Sequence, residues 1–226
     1  MKILHITDTH GYHNKMNLNL DGVDVLVHTG DSTNYRNSLF NEKEFFDFLN
    51  WFSSLPVPNK IYVAGNHDSF IFENNKNARN QFYLHGIHYL NKNEVIIDGV
   101  KFYGDPIMPK FGDWCFMTDR GKLNKHWELI PEDVNVLLTH TPPKGVLDLS
   151  KDRHHNLERC GCSALMKRVD KLKQLKLHCF GHIHNFQDII NTGVLKRGDV
   201  LFSNATAVTD ARFDLGITHN GNLIKI

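Results

Sequence analysis

The sequence is short of the features that would send a chain into a membrane or through it. No stretch of its 226 residues approaches the roughly 18 uninterrupted apolar positions of a membrane span, and the opening MKILHITDTH lacks the long apolar core of a secretory signal. Cysteine is scarce. Of Cys115, Cys160, Cys162 and Cys179 only the middle two are close, as C-x-C, a spacing that matches no paired zinc knuckle. Reduced thiols and a cytoplasmic location are the expectation. Charge of either sign is not in excess: 26 Lys and Arg stand against 25 Asp and Glu, for a net charge of +1. A protein that holds nucleic acid or anionic lipid through its overall field needs many cations on one face, so nucleic acid is a disfavoured partner. Repeats, low-complexity tracts and linkers are missing as well, so one domain over residues 1–226 is expected.

What the chain does have is histidine, 15 in all, the commonest protein metal ligand and the usual acid or base near neutral pH. Short apolar runs recur and read as buried strands: KILHIT, DVLVHTG, KIYVAGN, VNVLLTH and LHCFGHIH. Between the second and third, Phe45, Phe48, Phe52 and Leu55 recur at helical spacing, which predicts a crossover helix. Residues 161–175 predict another, with a stripe of Leu165, Val169, Leu172 and Leu175 and a solvated face of Lys and Arg. Asp98-Gly99 and Asn220-Gly221 supply the positive φ angles of tight hairpins. The expected fold thus mixes parallel crossovers in the first third with antiparallel pairs later. The aperiodic stretch 105–128 predicts a functional loop with a short helix.

Histidines and carboxylates gather where the predicted strands end. The runs close in Asp8-Thr9-His10, Gly30-Asp31, Gly65-Asn66-His67-Asp68, His140 and Gly181-His182-Ile183-His184. Ligands of α/β sheets gather beyond the carboxyl ends of strands, so these residues have a common place to meet. His182 and His184 share a side if strand alternation persists. Glycine before Asp31, Asn66 and His182 lets the backbone turn sharply and approach a ligand. Asp, Asn and His without Cys form the donor set of a hard to borderline divalent ion, Mn, Fe or Zn, and there are more donors than one tetrahedral ion uses.

The ordered set D-x-H, G-D, G-N-H-D, H and G-H-x-H resembles the calcineurin-like metallophosphoesterase superfamily over residues 8–184. FYGDPIMPKFGDWCF, LLTHTPPKGVLDL, GCSALMKRV and HCFGHIH are similar to its small subgroup of brain-expressed animal members and bacterial relatives. The resemblance implies an α/β fold, a four-layer αββα sandwich of two mixed β-sheets flanked by helices, with a dinuclear metal site at the C-terminal strand ends. It implies that Asp8, His10 and His184 hold one ion, that Asn66, His140 and His182 hold the other, and that Asp31 bridges them. Manganese is the expected metal, with Fe or Zn as alternatives. His67 would face the substrate phosphate and protonate the leaving oxygen, Asp68 would orient His67, and Asn66 would also bind substrate.

Two divalent ions carry +4 against −2 from Asp8 and Asp31, so such a site attracts phosphate even in a nearly neutral protein. The implied reaction is direct hydrolysis by hydroxide, without a covalent enzyme intermediate. A phosphodiesterase acting on small or cyclic nucleotides is favoured. The alternatives are a phosphomonoesterase or phosphoprotein phosphatase, a nuclease, and an inactive metal-binding scaffold. Oligomeric state is not readable.

The other histidines have plainer readings. His5, His28 and His178 lie within strand runs and read as packed groups. His13, after the D-x-H loop, reads as a surface-loop histidine, with contact to substrate as the alternative. His154 and His155, beside Lys151 and Arg153, read as a solvated loop or a phosphate-side rim. Phe111, Trp114 and Phe116 fit either a substrate pocket or loop packing. The C-x-C pair reads as a helix start without a metal role. One departure from the subgroup is Asn185-Phe186-Gln187-Asp188, where relatives carry a small Gly-containing turn.

Overall fold

The computed structural model describes residues 1–209 and 216–226. Its first part contains β1 (Lys2–Ile6), β2 (Val25–His28), α1 (Ser38–Ser54), β3 (Asn59–Tyr62), α2 (Ser69–Glu73), α3 (Asn75–Leu84) and β4 (Ile87–Tyr89). Then come β5 (Asn93–Ile97), β6 (Val100–Asp105), β7 (Met108–Pro109), β8 (Met117–Thr118), α4 (Leu123–Trp127) and β9 (Val136–Thr139). The chain continues through β10 (Leu149–Lys151), β11 (Leu157–Arg159), α5 (Ser163–Val169), β12 (Leu177–Phe180), β13 (Gly193–Arg197), β14 (Val200–Asn204) and β15 (Asn222–Lys225).

Two mixed sheets result, ordered β15-β1-β2-β3-β4 and β13-β14-β12-β9-β6-β5. In both the interior strands run parallel and the antiparallel strands β15, β13 and β5 lie at edges. The later half is therefore more parallel than its sequence suggests. Crossovers through α4 and α5 bring β9 beside β6 and β12 beside β9.

Alternation along each strand sorts its side chains into three apolar layers. Ile3, Val25, Val27, Val136, Leu138, Leu177 and Cys179 meet between the sheets. Leu4, Ile6, Leu26 and Tyr62 face outward beneath α1 to α3, whereas Leu137, Phe180 and Phe202 face outward beneath α4 and α5. The order helix, sheet, sheet, helix is the four-layer sandwich. Gly104 of β6 lies close against the other sheet, since a Cβ there would strike Leu90 and come within 2.8 Å of Val63.

Helix α1 forms where predicted. Asn37 caps it by accepting from the Leu39 amide at 3.1 Å, and Phe45, Phe48 and Phe52 are fully buried beneath it. Each ring contributes about 1.5–3 kcal/mol of transfer free energy, an upper estimate. Helix α5 is shorter than the predicted 161–175 and stops at Val169. Leu172 and Leu175 are still buried, because consecutive three-residue turns (Leu172 N to Val169 O, Leu175 N to Leu172 O) keep the same stripe facing inward. Cys162 opens this helix, its Sγ accepting from the Leu165 amide at 3.4 Å.

Asp98 (φ 49°) and Gly99 (φ 77°) make the β5–β6 hairpin as predicted. Asn220-Gly221 does not join a hairpin. Strand β15 pairs with β1, while Ile217 bridges Val208; Asp214 and Leu215 of the predicted first arm lie outside the described residues. Gly221 (φ 93°) instead lets the chain pass close under β1, where a Cβ would meet Ile6 at 2.7 Å and the His5 carbonyl at 2.9 Å.

Candidate metal centre

The parallel strands deliver their following loops to one end of the sandwich, and the predicted residues meet there. Asp8, His10 and His184 offer donor atoms within 4.8 Å of one another, as do Asp31, His140 and His182. A third set, His10, Asp31 and His67, overlaps both. Asp31 lies between the groups: its Oδ2 is 3.2 Å from His140 Nε2 and 3.9 Å from His10 Nε2. Asn66 Oδ1 is 3.2 Å from the same His140 nitrogen, and Asp8 Oδ1 is 3.2 Å from His184 Nε2.

Four of these residues have left-handed backbone: Asp8 (φ 52°), His10 (φ 44°), Asp31 (φ 54°) and His182 (φ 69°). Non-glycine residues take that conformation at a cost of order 1–3 kcal/mol, and it clusters where surrounding structure demands it. It also breaks strand alternation. His182 and His184 do not share a side as expected; the positive φ at His182 turns its ring toward Asp31 and His140 and sends His184 to Asp8.

Glycine is required at the two carboxylates. A Cβ on Gly65 would strike Asp31 Oδ1, and one on Gly181 would strike Asp8 Oδ2, so each acid is seated against bare backbone. The carboxylates are then pinned by donors. Asp8 accepts from the His182 amide at 3.1 Å, Thr7 Oγ1 at 2.8 Å and Thr206 Oγ1 at 3.3 Å; Asp31 Oδ1 accepts from the His67 amide at 2.7 Å.

The polar balance of the cavity fits a pair of cations. Both ring nitrogens of His10 are buried with no hydrogen-bond partner among the described residues, an arrangement costing about 1–3 kcal/mol unless a cation takes the lone pair. Burial keeps His10 and His182 neutral, pulled down to about 3, which is the form that ligates metal. Burial disfavours charge on Asp31, yet neighbouring His140 and His67 hold its carboxyl well below the usual range. Burial likewise opposes charge on His140, but Asp31, by charge and hydrogen bond, and Asp8 push it up to about 9. Protons on imidazole thus stand where the donor chemistry suits metal. His140 Nδ1 faces the Thr29 carbonyl at 2.8 Å and His184 Nδ1 the Thr209 carbonyl at 3.3 Å, which leaves each Nε2 turned inward.

Asp68 departs from expectation. Its carboxylate accepts from the amides of Asp31, Ser32, Thr33 and Gly65 and from the hydroxyls of Ser32, Thr33 and Tyr62. No bond from the His67 ring reaches it among the described residues; His67 Nδ1 lies 3.2 Å from the Asn34 carbonyl instead. Asp68 is a brace for the loop that carries Asp31. Turn geometry explains the change, because the left-handed Asp31 turns its own amide and those of Ser32 and Thr33 onto this one acid.

His67 is flanked by rings, His10 at 4.7 Å and Trp114 at 4.5 Å, and Arg36 covers Trp114 at 3.6 Å. Trp114, Phe111 and Phe186 wall a cavity of about 230 Å³ whose floor holds His10, Asp31 and His182. Phe116 is in the core beneath α1 to α3, so the three aromatics divide between both expected roles. Phe186 brings a bulky ring to the rim, held from behind by Lys151, which bonds Gln187 and Asp188. His13 is buried against Asp47, Phe48 and Trp51 and does not line the cavity, which corrects its reading as a surface-loop histidine. Thr206, Asn34 and Arg36 carry no motif in the sequence, and only the fold brings them to the site.

The profile of the family described as calcineurin-like phosphoesterase matches residues 1–186. The chain is 36% identical over 210 residues to metallophosphoesterase domain-containing protein 1 of Homo sapiens, covering 82% of this chain and 60% of that one. It therefore spans about three fifths of that relative's length. A UPF0046 protein of Caenorhabditis elegans is 34% identical over 217 residues, covering 91% of this chain and 69% of its own. One solved structure superposes with a TM-score of 0.65 at 15% identity over 90% of both chains, a likeness of fold. With the strand-end motifs assembled in one place and the profile spanning most of the sequence, this chain belongs to the calcineurin-like phosphoesterase family, whose hallmark is a dinuclear divalent metal site.

Proposed function

We propose that the protein is a dinuclear-metal-dependent phosphodiesterase acting on small or cyclic nucleotides. The observation that carries the reading is Asp31, one buried carboxylate between two donor groups, beside a His10 ring whose nitrogens have no other partner. Asp8, His10 and His184 would hold one ion, Asn66, His140 and His182 the other, and Asp31 both. When bound, the ions supply Lewis-acid activation of water and charge against the phosphate oxygens. An O and N donor set without thiolate suits Mn, with Fe or Zn also accommodated.

The chain's own residues do the rest. Asn66 and His67 face the cavity and would contact the phosphate. Because the Asn34 carbonyl only accepts, His67 Nδ1 holds a hydrogen toward it, and in the imidazolium form Nε2 would carry the second proton, the one passed to the leaving oxygen, leaving the neutral Nδ1–H ring. Trp114 and Phe111 exclude water from one side and offer rings to a base or aromatic arm. The near-even charge balance, 26 Lys and Arg against 25 Asp and Glu, disfavours a nuclease. The four free thiols support a cytoplasmic location. Among the described residues no helix is long and apolar enough to cross a membrane.

Mn-loaded protein should hydrolyse bis-p-nitrophenyl phosphate and cyclic nucleotides faster than p-nitrophenyl phosphate. A strong preference for the monoester overturns the diester assignment in favour of a phosphatase. Inactivity across cyclic nucleotides, linear diesters and monoesters favours a metal-binding scaffold.

A further inference from the structure

A second cavity of about 490 Å³ adjoins the metal centre, and Phe111, His182 and Ile183 line both. The Phe111 ring lies 5.2 Å from the His182 ring, so one aromatic wall leads from the metal ligands into the second chamber. Three cations reach that chamber from separate parts of the chain: Arg120 from the loop after β8, Lys144 from the loop after β9, and Arg159 from the end of β11. Arg159 is committed to buried Asp148 at 2.7 Å, and Glu158 is the acid on the lining. Among the described residues Arg120 and Lys144 have no acidic partner for their side chains. Their charge is not consumed by the fold.

An apolar wall that leaves the phosphoryl site and ends at two uncommitted cations has the chemistry of a subsite for an ester arm with a terminal anion. We propose that this chamber binds such an arm, a phosphate or carboxylate carried on one ester group of the phosphodiester, and that Lys144 and Arg120 select it. The inference rests on the phosphodiesterase reading above and adds a substrate class to it: diesters bearing a second negative group. Cations placed this way act on selectivity, because a diester with a neutral arm leaves them facing water and gains nothing from them.

The test compares p-nitrophenyl diesters of ω-carboxyalkyl arms of increasing length with their methyl esters, in Mn-loaded protein. The expected result is a kcat/KM ratio of roughly tenfold in favour of the carboxylate at one arm length, the worth of one good charge-assisted contact. The double variant Lys144→Gln, Arg120→Gln should bring that ratio close to one, and Lys144→Arg should keep it. Calorimetric binding of ω-carboxyalkylphosphonates against plain alkylphosphonates gives a readout independent of turnover. Phosphonate preference without diester hydrolysis leaves the subsite standing and overturns the activity. Hydrolysis of neutral diesters with no preference at any arm length, or a preference unchanged in the double variant, overturns the subsite. Replacing the carboxylate with a terminal phosphate then distinguishes which anion the chamber takes.

Discussion

Strand bodies and strand ends treat the same residue in opposite ways. His5 sits in the body of β1 with both nitrogens satisfied by hydroxyls, Ser203 Oγ at 2.8 Å and Thr29 Oγ1 at 2.9 Å, and so ties one sheet to the other. His28 is stacked on Tyr62 with Thr9 and the Gly30 amide as partners, and His178 bonds Thr139 at 2.9 Å. A few residues further on, His10 and His140 are buried and His182 and His184 half-buried beside carboxylates, and among the described residues the His10 ring has no hydrogen bond. Burial alone does not separate the two groups, since His10 and His140 are enclosed much as the strand-body rings are. What differs is the company: hydroxyls beside the strand-body rings, even though His178 Nδ1 has no partner among the described residues, against acids seated on glycine that leave donors converging on a space. A buried histidine therefore identifies a site where several rings share carboxylates, and an unpaired ring nitrogen by itself does not.

The sharpest way to break this contrast is to remove the glycine seats. In Gly65→Ala the new methyl displaces Asp31, which faces both donor groups, so metal content should fall at both positions and activity by on the order of 10³-fold. Gly181→Ala displaces Asp8 and crowds Thr7 beside it, without reaching Asp31. It should spare the ion that Asn66, His140 and His182 would hold and cost less activity. Metal stoichiometry by elemental analysis separates them, and equal losses in both variants would mean that Asp31 is not shared.

The second contrast lies within one tetrapeptide. His67→Ala should lower turnover by about 10²–10⁴-fold while metal content stays near wild type, if the ring supplies a proton rather than a ligand as proposed. If metal is lost instead, the set of His10, Asp31 and His67 is the one that binds. Asp68→Asn should behave differently, because seven donors converge on its carboxylate and an amide can accept at one oxygen only. Stability should fall by about 3–5 kcal/mol, with weaker metal binding through the loosened Asp31 loop, read by urea unfolding and metal titration.

The family, the sheet-forming runs and the convergence of Asp8, His10, Asp31, Asn66, His140, His182 and His184 at one end of the sandwich were legible because they depend on local order: a buried run, a glycine, then a short polar motif. The role of Asp68 was not, because it follows from the direction in which a left-handed Asp31 turns three backbone amides, and φ is not written in residue types. Nor was the destination of Asn220-Gly221, where the turn signal was right about positive φ and blind to β1 as the pairing partner. Leu172 and Leu175 showed how a stripe of fixed spacing reports burial more faithfully than it reports helix. Arg36 and Trp114 stand 78 positions apart in sequence, and no pattern joins them before the chain folds.

That pair gives a smaller effect at the strand ends. Trp114 holds one face of His67 and Arg36 backs it at 3.6 Å, a cation–π contact worth about 0.5–2 kcal/mol. Trp114→Ala should lower kcat by roughly tenfold and Arg36→Ala by a few-fold, with kcat restored by Arg36→Lys if the charge over the ring is what matters.

The strand bodies should respond to acid rather than to metal. Burial, aided slightly by His5, pulls His178 down to about 3 from an ordinary value of 6.5. Between those values the unfolded chain binds a proton that the folded chain refuses, so this residue's share of stability is complete above pH 6.5 and is lost as pH falls toward 3. The slope is about 1.4 kcal/mol per pH unit. His178→Gln keeps a donor for Thr139 and cannot take up that proton. Urea unfolding of the metal-free protein across this window should show a shallower loss of stability in the variant than in the parent by that slope. Parallel curves would mean that the ring is protonated in the fold, and the distinction between histidines that rest on hydroxyls within strands and histidines that meet carboxylates at their ends would fail at its simplest member.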